Sequence, residues 1–267
     1  PTVQAHCLHI YPLISFTPAV MPLVIRDMPD TKTTLVTGAS SGIGRAITSM
    51  LLEQGHRVIG LARDFSKVPQ HEDQLVRIEV DLSHLERLPD RLKTISDTYP
   101  GIQGVILCAG AGRFGSLEEF SWQQIRDLVD LNLTSQVFIA RAFLPLMKQR
   151  GRGDLIFIGS EAALAGGRRG ALYAATKFGV RGLAQSLRQE CAGSGVRVSI
   201  VNPGMVKTGF FSRLSFTPGE EPDNHILPED IAETVRYLLN VRQGTVIDEI
   251  NLTPQKKVVR FRKPQPD

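Results

Sequence analysis

Tyr173 and Lys177, in Tyr173-Ala-Ala-Thr-Lys177, stand four residues apart and would share one face of a helix, one turn from each other. A phenol with its ordinary pKa near ~10 is too weakly acidic to act as a base at neutral pH. A neighbouring ammonium favours the phenolate, so Lys177 is expected to lower the Tyr173 pKa. Ser160, thirteen residues upstream, adds a hydroxyl that can hydrogen-bond a carbonyl oxygen. A proton donor and an oxygen-binding group are what a carbonyl needs when hydride reaches its carbon and an alkoxide develops. The four-residue spacing is a common coincidence in a chain of 267 residues, so its meaning depends on the elements that hold it.

Those elements alternate. Short apolar runs at Thr33–Thr37, Arg57–Ala62, Val76–Val80, Gly104–Cys108, Asp154–Ile158 and Val196–Val201 read as strands. Amphipathic stretches near 43–54, 84–98, 121–149 and 171–193 read as helices between them, with a further helix near 228–240 and a strand near 245–252. Strand–helix alternation predicts βαβ crossovers and a parallel sheet covered on both faces. Pro145 predicts a kink or break in the 121–149 helix. The first strand runs into Thr37-Gly-Ala-Ser-Ser-Gly-Ile-Gly44, a glycine-punctuated turn into a helix. Glycine serves there because the backbone turns tightly and amide groups must approach phosphate, while the helix N-terminus offers open N–H groups and a positive dipole.

Composition sets the frame. With 42% apolar, 22% charged and 6% aromatic residues, the chain suits one α/β domain with a sizeable core. The net charge is +4, and much of the excess lies near the end, at Lys256, Lys257, Arg260, Arg262 and Lys263. Residues 255–267 read as a basic, solvated tail, which is the plainer account than a nucleic-acid site. Cys7, Cys108 and Cys191 are scattered, with no metal-ligand spacing and no disulfide framework, which favours a cytoplasmic location. Residues 8–25 are apolar, but Pro12, Pro18 and Pro22 interrupt the run and no basic residue precedes it, so neither a signal peptide nor a membrane span is expected. Residues 1–31 read as a loosely ordered extension, with Met28 an alternative start, before a single catalytic domain over 32–254.

Taken in order, Thr37–Gly44, Asp81-Leu82, Ala109-Gly110, Asn132, Ser160, Tyr173/Lys177 and Asn202-Pro203-Gly204 resemble the short-chain dehydrogenase/reductase family over about 33–252. The resemblance implies a Rossmann-type, doubly wound parallel sheet of about seven strands and an oxidoreductase that interconverts a carbonyl and a secondary alcohol. It assigns Tyr173 as general acid/base, Lys177 to the Tyr173 pKa and the nicotinamide ribose, and Ser160 to the carbonyl oxygen. Asn132 would bend its helix and support a proton relay from Lys177. Gly38, Ser40, Ser41, Gly42, Ile43 and Gly44 would surround the cofactor phosphates, Asp81 and Leu82 the adenine, and Ala109, Gly110, Pro203, Gly204 and Thr208 the nicotinamide side. The family's usual Asn-Asn-Ala-Gly is here Leu107-Cys108-Ala109-Gly110, which removes a sheet buttress.

The second strand ends Gly60-Leu-Ala62-Arg63, with alanine where a ribose-binding carboxylate would sit. Arg63 and Arg45 are then available for a 2′-phosphate, and NADP(H) is favoured over NAD(H); Asp64, one residue on, keeps NAD(H) in view. Residues 205–224, with Phe210, Phe211, Leu214 and Phe216, read as a movable substrate lid. Partners are expected to be a small carbonyl or hydroxy substrate and further copies of the chain, as homodimer or homotetramer, with no nucleic acid, membrane or metal. The alternative function is a cofactor-binding regulatory or scaffold protein without turnover, which retention of Ser160, Asn132, Tyr173 and Lys177 disfavours.

Overall fold

The computed structural model describes residues 31–69 and 72–261. The expected extension over 1–31 lies outside these but for its last residue, as do Cys7, Arg262 and Lys263. In chain order the elements are β1 (Thr33–Thr37), α1 (Gly42–Glu53), β2 (Arg57–Ala62), β3 (Leu75–Glu79), α2 (Leu88–Thr98), β4 (Ile102–Leu107), α3 (Trp122–Val129), α4 (Ser135–Gln149), β5 (Gly153–Ile158), α5 (Ala171–Cys191), β6 (Val196–Pro203), β7 (Phe216–Pro218), α6 (Pro228–Asn240), β8 (Glu249–Leu252) and β9 (Val259–Phe261).

Seven strands form one sheet in the order β3-β2-β1-β4-β5-β6-β8, and every neighbouring pair is parallel. Helices cover both faces, so β1 is buried at all five positions and β6 at all eight. One core, around Leu35, Leu107, Phe143, Phe157 and Val180, packs α2, α4 and α5 against the sheet. The other, around Val36, Ile47, Leu51, Ile106 and Val235, packs α1 and α6 on the opposite face. This is the expected Rossmann-type α/β fold. Strand order reverses between β1 and β4, which opens a crevice at their carboxyl ends where such sheets bind ligands.

Two local expectations change. The 121–149 helix is interrupted, but at a wide π-type turn over Asp130–Thr134; Pro145 sits within a continuous α4. Asn132, expected to bend this helix, lies fully buried at the middle of that turn. The basic stretch is exposed as expected, but it is paired as far as Phe261. β9 pairs antiparallel with β7 in a separate two-stranded sheet, at Phe216↔Phe261, Thr217↔Arg260 and Pro218↔Val259. Among the described residues no helix is long and apolar enough to cross a membrane.

Candidate active site

The glycine turn is built by close approach. Gly38 and Gly42 have φ of 69° and 52°, a left-handed conformation that favours glycine. A Cβ on Gly38 would lie 3.3 Å from the Ala109 Cα, and one on Gly44 would overlap the Gly38 carbonyl. Ser41 caps α1 through backbone only, with no side-chain hydrogen bond, so the first N–H groups of that helix stay open. Ser40 and Ile43 are half-buried beside it and Ser41 is exposed. Across the crevice, Thr208 stands against Gly42, its Cβ 3.4 Å from where a glycine Cβ would be. A cradle of open amides that tolerates no side chains fits a dinucleotide pyrophosphate.

Thr37 explains how the sheet does without the family's asparagine after β4. Its hydroxyl accepts hydrogen bonds from the backbone N–H of Cys108 and of Ala109, both at 2.9 Å, joining the ends of β1 and β4. Cys108 itself is half-buried, and burial pushes its thiol up to about 12.

Asn132 is fully buried, which excludes an exposed polar helix residue. Its Oδ1 accepts from Ala111 N–H at 2.9 Å, and its Nδ2 donates to the Ala111 carbonyl at 2.9 Å and to Thr176 Oγ1 at 3.2 Å. The amide therefore clamps the loop after β4 to α5 from within the π turn. That turn of backbone widens because the side chain needs to reach both partners.

Tyr173 and Lys177 lie on the buried face of α5, with exposures of 7% and 5%. Lys177 Nζ donates to the Ile158 carbonyl at the end of β5, at 3.1 Å, and stands 5.8 Å from the centre of the Tyr173 ring. Ser160 follows β5 and begins a short turn by accepting from Ala162 N–H at 3.1 Å, and its hydroxyl lies near enough to Tyr173 to favour the phenolate. The three side chains predicted to act together are thus brought together, by α5 and by the end of β5.

Their protonation differs from the expectation. Burial pushes the Tyr173 phenol up to about 12 against the pull of its Ser160 hydrogen bond, and the nearby Glu161 carboxylate adds to the rise. Burial also lowers Lys177 to about 8. The predicted lowering of the Tyr173 pKa is therefore overturned: the cost of burying a phenolate exceeds what the Ser160 hydroxyl returns, and Lys177 is itself less readily charged when buried.

At the adenosine end, Arg63 is exposed and lines the cleft with Ser83 and His84. Asp64 is held by Ser66, accepting from its N–H at 2.7 Å and from its hydroxyl at 2.9 Å. Arg45 is engaged by Glu72 through both guanidinium nitrogens, one at 2.9 Å, so it is not the free cation that its position in sequence suggested. Asp81 accepts from the N–H and hydroxyl of Ser83 at 2.9 and 2.7 Å. It forms a local turn and caps no helix, because α2 starts only at Leu88. Leu82 is buried beneath it.

Pro203 ends β6 in register with Leu252 of β8, and Gly204 donates to the Leu252 carbonyl at 2.8 Å. The segment after it, read from sequence as a movable lid, is strapped. Its base is zipped by Ile226 N–H to the Met205 carbonyl and Lys207 N–H to the Ile226 carbonyl, at 2.9 and 2.8 Å. Its tip is held by β9 and by ion pairs of Lys256 with Asp223 (2.6 Å) and Arg260 with Glu220, while Lys257 pairs with Glu161 after β5 (2.8 Å). Phe210 and Phe216 meet Phe114, Phe211 and Tyr173 in a chain of ring contacts, with Phe114 5.0 Å and Phe210 6.1 Å from the Tyr173 ring. Sequence reading missed Phe114; its place just after the Gly110-Ala-Gly112 loop was the available signal.

Known proteins carry the same pattern. The profile of the short chain dehydrogenase family matches residues 32–217. The chain belongs to that family. An uncharacterized oxidoreductase of Staphylococcus aureus strain N315 is 30% identical over 228 residues, covering 84% of this chain and 97% of that one. The solved structure of an alcohol dehydrogenase from the archaeon Thermococcus sibiricus, complexed with 5-hydroxy-NADP, is 27% identical with a TM-score of 0.77, over 86% of this chain and 99% of that one. A serine dehydrogenase complexed with NADP+ in its closed form is 26% identical with a TM-score of 0.73, over 82% and 94%. As a short-chain dehydrogenase family member, this protein is an oxidoreductase with the Rossmann-type fold.

Proposed function

We propose that the protein is an NADP(H)-dependent oxidoreductase that interconverts a carbonyl and a secondary alcohol, with Tyr173 as general acid/base. The observation that carries this is a buried Tyr173 whose phenol feels the Ser160 hydroxyl, one turn from a buried Lys177, behind a glycine cradle that tolerates no side chains.

When bound, the nicotinamide supplies hydride in reduction and accepts it in oxidation. The chain's own residues handle oxygen and proton. Ser160 donates a hydrogen bond to the carbonyl oxygen as negative charge grows on it. Tyr173, held near 12, keeps its proton at neutral pH and releases it to that oxygen. Lys177, charged below about 8, stabilises the phenolate left behind. Asn132 positions the Ala111 loop against α5 and so fixes the wall beside Lys177.

Support for NADP(H) is the exposed Arg63 after Ala62, with Asp64 tied to Ser66, and relatives whose structures hold NADP forms. Val137 and Phe178 are exposed on α4 and α5, apolar positions that a second copy would cover in a homodimer or homotetramer.

The test is a titration of the purified protein with NADPH and NADH, followed by a panel of carbonyl substrates. NADPH should bind more tightly, and tighter NADH binding would refute the Arg63 argument. Tyr173→Phe should bind NADPH normally and lose about 10³-fold in turnover; full activity in that variant would sink the mechanism.

A further inference from the structure

The geometry points to a substrate that carries a carboxylate or another anionic group at the end away from its reacting carbonyl, held by Arg113 and Arg213. This rests on the carbonyl-reductase reading and names the substrate class of the same site. A cleft of about 1510 Å³ runs along the carboxyl edge of the sheet. The two rings in contact with Tyr173, those of Phe114 and Phe210, line it. A substrate whose carbonyl reaches Tyr173 has these rings beside it, and the cleft opens on their other side.

Arg113 precedes Phe114 on the loop after β4, and Arg213 follows Phe210 by three residues on the segment after β6. Both line the cleft, and both are exposed. Neither has an ion pair or side-chain hydrogen bond among the described residues. Of the four carboxylates that line the cleft among the described residues, Glu86, Glu119, Asp127 and Asp130, three have partners on their own side. Glu119 pairs with Arg169 at 2.9 Å, Asp127 accepts from Gln123 at 2.7 Å, and Asp130 accepts from Thr134 at 3.4 Å. Two unpaired guanidiniums therefore face the space beyond an aromatic wall. An anion between them gains charge-assisted, planar hydrogen bonds, and an apolar body lies on the rings behind it. Reduction balances as usual: hydride passes from the nicotinamide to the carbonyl carbon and the Tyr173 proton to its oxygen, while the distal anion is untouched.

The cofactor's phosphates are the other anions that these arginines could hold, and the experiment separates the two. The probes are para-acetylbenzoate and its methyl ester, which present the same ketone with and without the charge. Wild-type protein with NADPH should reduce the carboxylate with a kcat/KM about tenfold above the ester, through KM, and added salt should erode the difference. Arg113→Gln with Arg213→Gln should abolish that preference and leave both the ester kinetics and the NADPH dissociation constant unchanged. Equal loss on both probes, weakened NADPH binding, or an ester preferred by wild type would overturn the assignment. If turnover is absent, calorimetric binding of the two probes to the Tyr173→Phe protein with NADPH gives the same comparison. No carboxylate preference there refutes the anion site, whereas failure to bind NADPH at all refutes the carbonyl-reductase reading on which it rests.

Discussion

The nucleotide side and the substrate side of this site are built in different ways. The first is made of backbone: Gly38, Gly42 and Gly44 against Ala109 and Thr208, with open amides at the start of α1. Its positions are set by strands buried on both faces, and a single Cβ would break it. The second is made of side chains from distant parts of the chain: Phe114 after β4, Phe210 after β6, and Lys256, Lys257 and Arg260 near the end. It is held by ring contacts and exposed ion pairs, each worth only about 0.2–1 kcal/mol. A cradle of that first kind accepts one ligand shape, whereas a strapped loop can be retuned by changing a few surface charges.

The largest effect should come from Gly44→Ala. The added methyl meets the Gly38 carbonyl, a backbone atom that cannot swing aside. About 2 kcal/mol of strain is expected, roughly thirtyfold in NADPH affinity by titration. An unchanged affinity would mean that the cradle yields as readily as the strap.

Lys177 stands between the end of β5 and the Tyr173 ring, and its titration sharpens the comparison. Its pKa is lowered to about 8, so the ammonium is intact below that pH and lost as pH rises through it. Tyr173, near 12, stays protonated over the same range. Rate profiles of kcat/KM for reduction should be level below about 8 and fall about tenfold per pH unit above it. A fall that begins only well above that point would assign the limb to another group.

The smallest effect should follow from replacing Lys256, Lys257 and Arg260 together by alanine. Loosening the segment after β6 should raise the substrate KM about fivefold and leave NADPH affinity unchanged, in keeping with three exposed pairs. Equal losses for substrate and cofactor would erase the distinction between the two sides.

Much of the nucleotide side was legible in the chain. Thr37–Gly44 is contiguous, and the strand and helix around it have local patterns that mark their ends. α6 was read to the residue, and β2 to its full length, for the same reason. Arg45 was not legible, because its partner Glu72 lies 27 residues away across a loop. The break at Asp130–Thr134 was legible only through the resemblance, which has Asn132 bend its helix; its partners Ala111 and Thr176 are brought to it by folding. The strap was hidden most completely. Its basic residues look like a solvated run until β9 finds β7, about forty residues earlier in the chain.

By itself the sequence determined the alternation of strands and helices and the glycine turn, from periodicity and turn chemistry, and the order of its motifs singled out Ser160, Tyr173 and Lys177 through the family resemblance. Only the tertiary structure decided the protonation of that set, the commitment of Arg45, and the tethering of the segment after β6. Each of those depends on burial or on charges brought close by folding. Burial raises the energy of an ion by an amount that no linear spacing records, and it is why Tyr173 holds its proton here although Lys177 stands one turn away.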